Sequence, residues 1–202
     1  MLGLLNSLLD LAKLEAGQAT IALQLADILV PIREVFAELE ALADEKNLRL
    51  SLMSPSPSVL AMVDKEKFSQ LIRNLMGNAI KFTPAGGTIE LRVAGAPEGK
   101  GIEVTVADSG VGIPADEMES IFDKFVQSSR TRSGAGGTGL GLAICREIAA
   151  LHGGTLSARN GANGGAEFTF RLPSAEASPA QTTIPANREA SNHGIDERIG
   201  GR

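Results

Sequence analysis

Tryptophan and tyrosine are absent from these 202 residues, which leaves seven phenylalanines as the only aromatic side chains. Cysteine occurs once, at Cys145, and a single thiol excludes both an internal disulfide and a cysteine-based metal cluster. Histidine occurs twice, as His152 and His193. No run approaches 18 consecutive apolar residues, and the N-terminus lacks a basic region and cleavage site, so neither a membrane span nor an export signal is expected. The expected address is the cytoplasm. Basic residues are not in excess either: 19 Lys plus Arg face 24 Asp plus Glu, a formal net charge of −5. That balance argues against general nucleic-acid or anionic-membrane binding. What remains, 43% hydrophobic and 21% charged, suits one globular domain with attachments.

The apolar periodicity lays out the elements. Leu4, Leu5, Leu8, Leu11 and Leu14 recur at helical steps and Gly17 ends the run, so residues 1–17 read as a short amphipathic helix that needs a partner helix. A strand over 20–25 precedes a helix that Asp27 could cap and that extends to about Lys46. Strands are expected at 48–53 and 59–63, on either side of the Ser-Pro-Ser-Pro turn. A helix from Asp64 to about Lys81 carries Phe68, Leu71, Ile72, Leu75 and Ile80 on one face. Strands at 88–94 and 102–107 follow, then a long loop over 108–138 with one helical stretch near 116–122. A loop of that length in a compact domain is usually functional. A helix over 140–151 and a hairpin of 155–160 with 166–172 close the domain, and residues 174–202 read as a disordered tail.

Three patterns carry chemistry. Asn74 and Asn78 stand four apart, on one helix face, with Lys81 a turn further on. An amide oxygen is a hard neutral ligand that suits Mg²⁺ beside phosphate and water, although helix caps and surface polar groups fit the pattern equally. Asp108-Ser-Gly110-Val-Gly112-Ile113 directly follows an apolar strand. Its carboxylate could accept a hydrogen bond from an exocyclic amine, or the segment could be a plain Asp-Gly turn. Gly134-Ala-Gly136-Gly137-Thr138-Gly139-Leu140-Gly141-Leu142 opens a helix. Uncovered backbone N–H groups at a helix N-terminus make a phosphate site. Leu142 and Ala143 follow the last glycine where a Walker loop needs Lys and Ser or Thr, so a P-loop is excluded.

In order and spacing, these patterns resemble the ATP-binding catalytic domain of bacterial sensor histidine kinases, in the Bergerat-fold ATPase superfamily. Asn74–Pro84 resembles the N box and Asp108–Ile113 the G1 box, while Phe122-Asp-Lys-Phe125 resembles the F box and Gly137–Leu142 the G2 box. The resemblance implies a two-layer α/β sandwich, with a mixed sheet and helices on one face, over residues 18–173. ATP and Mg²⁺ are the implied cofactors. Asn78 would hold the metal, Asn74 would support it and Lys81 would contact phosphate. Phe82 would flank the adenine, and Asp108 would bond its amino group with Gly110 and Gly112 allowing close approach. Gly137, Gly139 and Gly141 would hold the phosphates, and Ile113, Phe125, Thr138, Leu140 and Leu142 complete the implied nucleotide contacts. Residues 114–138 would form a lid with Phe122 and Phe125 packing its base and Arg130 and Arg132 as candidate cations.

The resemblance further implies phosphoryl transfer to histidine, because position 74 holds a neutral Asn where the hydrolytic relatives have a Glu to activate water. Residues 1–17 resemble the end of the dimerisation and phosphoacceptor hairpin, whose histidine-bearing helix is not seen. His152 fits a cap or packing role and Cys145 a small buried hydrophobe. The implied partners are a histidine-bearing hairpin, a response regulator receiver domain and a second copy in the full-length kinase. Nucleic acid and direct membrane contact are not expected. A non-catalytic ATP-binding regulator and a serine kinase of the anti-sigma-factor type are the alternatives.

Overall fold

The computed structural model describes residues 20–130, 138–162 and 164–174, together with Leu8, Leu9 and Ala12. The expected N-terminal helix otherwise falls outside the described residues, as does the tail beyond Ser174. The chain runs β1 (Gln24–Asp27), α1 (Leu29–Glu45), β2 (Arg49–Met53), β3 (Leu60–Val63), α2 (Lys65–Phe82), β4 (Thr88–Gly95) and β5 (Gly101–Asp108). After short 3-10 turns come α3 (Gly141–Leu151), β6 (Thr155–Asn160) and β7 (Ala166–Pro173).

Five strands form a mixed sheet in the order β2-β4-β5-β7-β6, in which only β2 and β4 run parallel. β1 and β3 make a separate antiparallel ribbon. Alternation along the strands separates the two faces of the sheet. Ile89, Leu91 and Val93 of β4, Val104 and Val106 of β5, and Phe168, Phe170 and Leu172 of β7 are buried. The intervening Glu90, Arg92, Glu103, Thr105, Thr169 and Arg171 form a polar opposite face, where Arg92 pairs with Glu90 at 2.7 Å and Arg171 with Glu103 at 2.6 Å. The three helices cover the apolar face. This is the two-layer sandwich expected from the resemblance.

α2 forms because its apolar residues recur at helical spacing. Phe68, Leu71, Ile72, Leu75, Met76, Ala79 and Ile80 are all buried against the sheet and the other helices. Asp64 starts it as an N-cap, its carboxylate accepting from the Glu66 and Lys67 N–H groups at 3.1 Å. Such a cap contributes about 1 kcal/mol.

Two expectations need correction. The first strand lies at 24–27, not 20–25, because Asp27 fixes its end: Asp27 Oδ1 accepts from the N–H of Val59 and of Leu29, both at 3.0 Å. The segments expected as strands at 48–53 and 59–63 are strands, at Arg49–Met53 and Leu60–Val63, and they lie in different sheets. The helical stretch near 116–122 is two separate 3-10 turns, Ala115–Glu117 and Ser120–Phe122. Among the described residues no helix is long and apolar enough to cross a membrane.

Candidate functional site

The strand alternation that buries Val104 and Val106 also sends Asp108, at the end of β5, toward the helices. There its Oδ1 accepts from the N–H groups of Gly110 at 2.8 Å and Ala166 at 3.2 Å. Both bonds fall on one oxygen, and among the described residues Oδ2 takes none. Burial pushes the carboxyl above its usual value, against the pull of those two N–H donors. Asp108 is thus an oriented, partly desolvated acceptor at the rim of a cavity.

That cavity, about 340 Å³, lies between α2, the end of β5, the loop after it and the start of α3. From α2 it receives Gln70, Asn74, Asn78 and Lys81, at steps of four, four and three residues, so they form one polar stripe beside the apolar face. Phe82, Asp108, Gly112, Ile113, Thr138, Gly139, Gly141 and Leu142 complete most of the predicted set. Burial lowers the Lys81 pKa, and its Nζ lies 4.9 Å from the Phe82 ring centroid. Asp108 is the one carboxylate among the described lining residues.

The glycines divide into two kinds. An added Cβ at Gly110 would sit 2.6 Å from the Phe82 carbonyl oxygen, so its bareness serves the fold. Gly139, at φ +68°, would collide with the Phe125 backbone at 2.6 Å. Gly141 differs, since a Cβ there would meet nothing within 4 Å although the residue lines the cavity. The first turn of α3 thus lines the cavity with no side chain at Gly141, and the N–H groups that a helix N-terminus leaves without intrahelical partners suit phosphate.

Some expected residues stand elsewhere. Leu140 does not line the cavity. It is fully buried in the core, and its N–H donates to Thr138 Oγ1 at 3.2 Å. Gly110 lies behind Asp108 rather than on the cavity wall. Phe122 is buried and packs edge-on against Phe168 at 6.3 Å, but Phe125, expected to pack the lid's base and to touch the nucleotide, is 62% exposed and does not line the cavity. Its backbone N–H donates to the Gly139 carbonyl at 2.9 Å, and its φ of +63° is left-handed. Arg130 donates to the Val111 carbonyl at 2.7 Å. Arg132, Gly134, Gly136 and Gly137 lie outside the described residues.

Other contributors were not anticipated. Gln70 extends the α2 stripe by one turn, and its step of four before Asn74 was the available signal. Val111, Val126, Gln127, Ser128 and Phe168 also line the cavity. Asn160 fastens the loop below it, exchanging two 2.8 Å bonds with the Ile113 backbone. Glu117 fixes the next loop by accepting the Ser129 N–H.

Among the described residues no three His, Cys, Asp or Glu side chains cluster as a metal site. The half-buried Asn78 carboxamide on the cavity wall does fit a hydrated Mg²⁺ that takes its other oxygens from phosphate and water. His152 is buried and occupied at both nitrogens: Nε2 accepts the Asp64 N–H at 3.1 Å and Nδ1–H donates to the Ile148 carbonyl at 2.8 Å. Burial also pushes the Cys145 thiol up to about 12, despite the Asn74 carboxamide beside it.

Residues 63–176 match the family described as histidine kinase-, DNA gyrase B-, and HSP90-like ATPase. Over 178 residues, 86% of this chain, it is 40% identical to hybrid signal transduction histidine kinase D of Dictyostelium discoideum, of which it spans 11%. It is 39% identical to sensor histidine kinase TmoS of Ectopseudomonas mendocina over 83% of its own length and 17% of that protein. Full-length ShkA in complex with AMPPNP superposes with a TM-score of 0.74 at 34% identity, over 86% of this chain and 36% of that one. The catalytic domain of histidine kinase ThkA superposes at 0.67 with 29% identity, over 75% and 97%. ThkA in complex with the response regulator protein TrrA gives 0.67 at 26%, over 84% and 48%.

Proposed function

The chain belongs to the histidine kinase-, DNA gyrase B- and HSP90-like ATPase family as an ATP-binding catalytic domain, and on that premise we propose that it transfers the γ-phosphoryl group of ATP to a histidine on a dimerisation hairpin. One observation carries this reading. Asp108, the α2 amides, Lys81 and the bare start of α3 all converge on one cavity. Asp108 Oδ2 takes the adenine amino group, with Phe82 flanking the base. Asn74 and Lys81 face the phosphates, and the N–H groups at Gly139 and Gly141 receive their oxygens. Asn78 would hold Mg²⁺, whose chemistry there is to neutralise charge on the β- and γ-phosphates. Positioning and these preorganised donors supply most of the catalysis.

The lining favours transfer over hydrolysis. Asn74 cannot act as a base, and the one described lining carboxylate has an oxygen fixed by two backbone N–H groups. His152 is no phosphoacceptor in this reading, since both its nitrogens are engaged in the core. The acceptor is a hairpin histidine, and the phosphoryl group passes onward to a response regulator receiver domain in a cytoplasmic relay. The test supplies a histidine-bearing hairpin and labelled ATP. Acid-labile, alkali-stable label on the hairpin supports the reading. Acid-stable label on serine favours a serine kinase, and nucleotide binding without any label favours a regulatory module.

A further inference from the structure

α2 ends at the cavity. Its last turn delivers Lys81 and Phe82 to the cavity wall, so the C-terminal end of the helix stands beside the region where an anionic nucleotide would lie. Such an end carries a partial negative charge and leaves up to four carbonyls without intrahelical donors. Left alone, it would repel a triphosphate.

The structure answers this from another element. Lys46, the residue directly after α1, reaches across with its side chain, and its Nζ donates to the carbonyls of Ile80 at 2.7 Å, Lys81 at 3.0 Å and Thr83 at 2.9 Å. An ammonium has three protons, and all three are engaged. Of the other carbonyls of the turn, Ala79 accepts the Thr83 N–H at 3.0 Å. The Lys46 carbonyl accepts the Gly86 N–H at 3.2 Å, so its backbone is held from the same side.

We infer that Lys46 is a positioning residue for the nucleotide's phosphates, closing the end of α2 with a positive charge and fixing the turn that carries Lys81. This rests on the ATP-binding reading above. It acts through α2 and does not touch the ligand. Its effect therefore depends on the charge of the ligand: removing the ammonium exposes a negative helix end to the phosphates, while uncharged adenosine senses far less of it. A role in folding alone would lower thermal stability without that discrimination.

The experiment titrates the full chain with Mg·ATP by calorimetry and with adenosine by NMR shifts, for the wild type and Lys46→Met, at a temperature where both are folded. Lys46→Met is expected to weaken Mg·ATP by about 10-fold, the scale of a charge at a partly buried helix terminus, and adenosine by less than about 3-fold. Equal losses for both ligands, or unchanged Mg·ATP affinity, overturn the inference. If Lys46→Met does not fold, Lys46→Arg is read in its place, because a planar guanidinium keeps the charge but cannot cap three converging carbonyls in the same way. It is expected to weaken Mg·ATP by about 3-fold, and wild-type affinity in that variant would overturn the inference. Failure of the wild type itself to bind Mg·ATP would refute the nucleotide reading instead.

Discussion

The N–H of Asp64 donates to Nε2 of His152 across 88 residues of sequence, at 3.1 Å. Through this bond the N-cap of α2 is tied to the end of α3, so the two helices that face the cavity share one fixed junction. The Asp64 carboxylate adds a third element by accepting the Ala22 N–H at 2.9 Å. Burial raises its pKa, but the three backbone donors outweigh that and hold it below the usual carboxylate value.

Acid should loosen this junction before it reaches the carboxylates. Burial depresses the His152 pKa below 6.5, outweighing the bonds to Ile148 and Asp64 that pull it up. A base that is harder to protonate when folded contributes stability that is complete above 6.5 and declines as pH falls toward its depressed folded value. Urea unfolding between about pH 7.5 and 5 should show stability falling with pH in the wild type. In His152→Gln that component should vanish. An identical pH slope in both proteins would contradict the assignment.

Asp108→Asn should separate stability from binding. Because burial raises the Asp108 pKa, its charged form is disfavoured by folding, and its stability contribution declines as pH rises through the folded value. At neutral pH the neutral amide, which can still accept from Gly110 and Ala166, should leave the ligand-free protein as stable or more so. Mg·ATP affinity should fall by about 10-fold or more through loss of a charge-assisted bond. A variant that is less stable yet binds normally would remove Asp108 from the adenine role.

Two glycines should behave oppositely. Gly139→Ala meets backbone at 2.6 Å with φ +68°, so it should destabilise the fold by about 1–3 kcal/mol in chemical denaturation. Gly141→Ala meets nothing within 4 Å and should leave the melting temperature unchanged or raised. If its bareness serves the ligand, Mg·ATP affinity should still drop in Gly141→Ala. Unchanged affinity there would place the phosphates elsewhere.

Cys145 should be silent. It is fully buried, and its thiol is pushed up to about 12, so the reactive thiolate is scarce at neutral pH. An aromatic disulfide reagent should label the native chain only as fast as it unfolds, and label it fully in denaturant. Rapid native labelling would contradict the packing.

The sequence made the site legible where its signals were local. The four-residue step from Asn74 to Asn78 and the apolar strand before Asp108 both place a side chain by helix or strand period alone. Periodicity cannot report contacts made over long separations. Lys46 meets carbonyls 34 to 37 residues away, and in the sequence it is an ordinary surface lysine after a helix. Asn160 sits in a hairpin strand, with nothing nearby to show that it clamps Ile113 47 residues back. Leu140 lies inside the glycine motif, yet its apolar side chain belongs to the core. Phe125 was misread for a related reason, because burial was expected of an aromatic whose backbone alone is used.

The most direct test is calorimetric titration of the folded full chain with Mg·ATP. The account predicts saturable one-site binding that is sharply weakened in Asp108→Asn and preserved in Cys145→Ala. Absence of heat at millimolar Mg·ATP and Mg·ADP, from protein whose circular dichroism shows it folded, would contradict it.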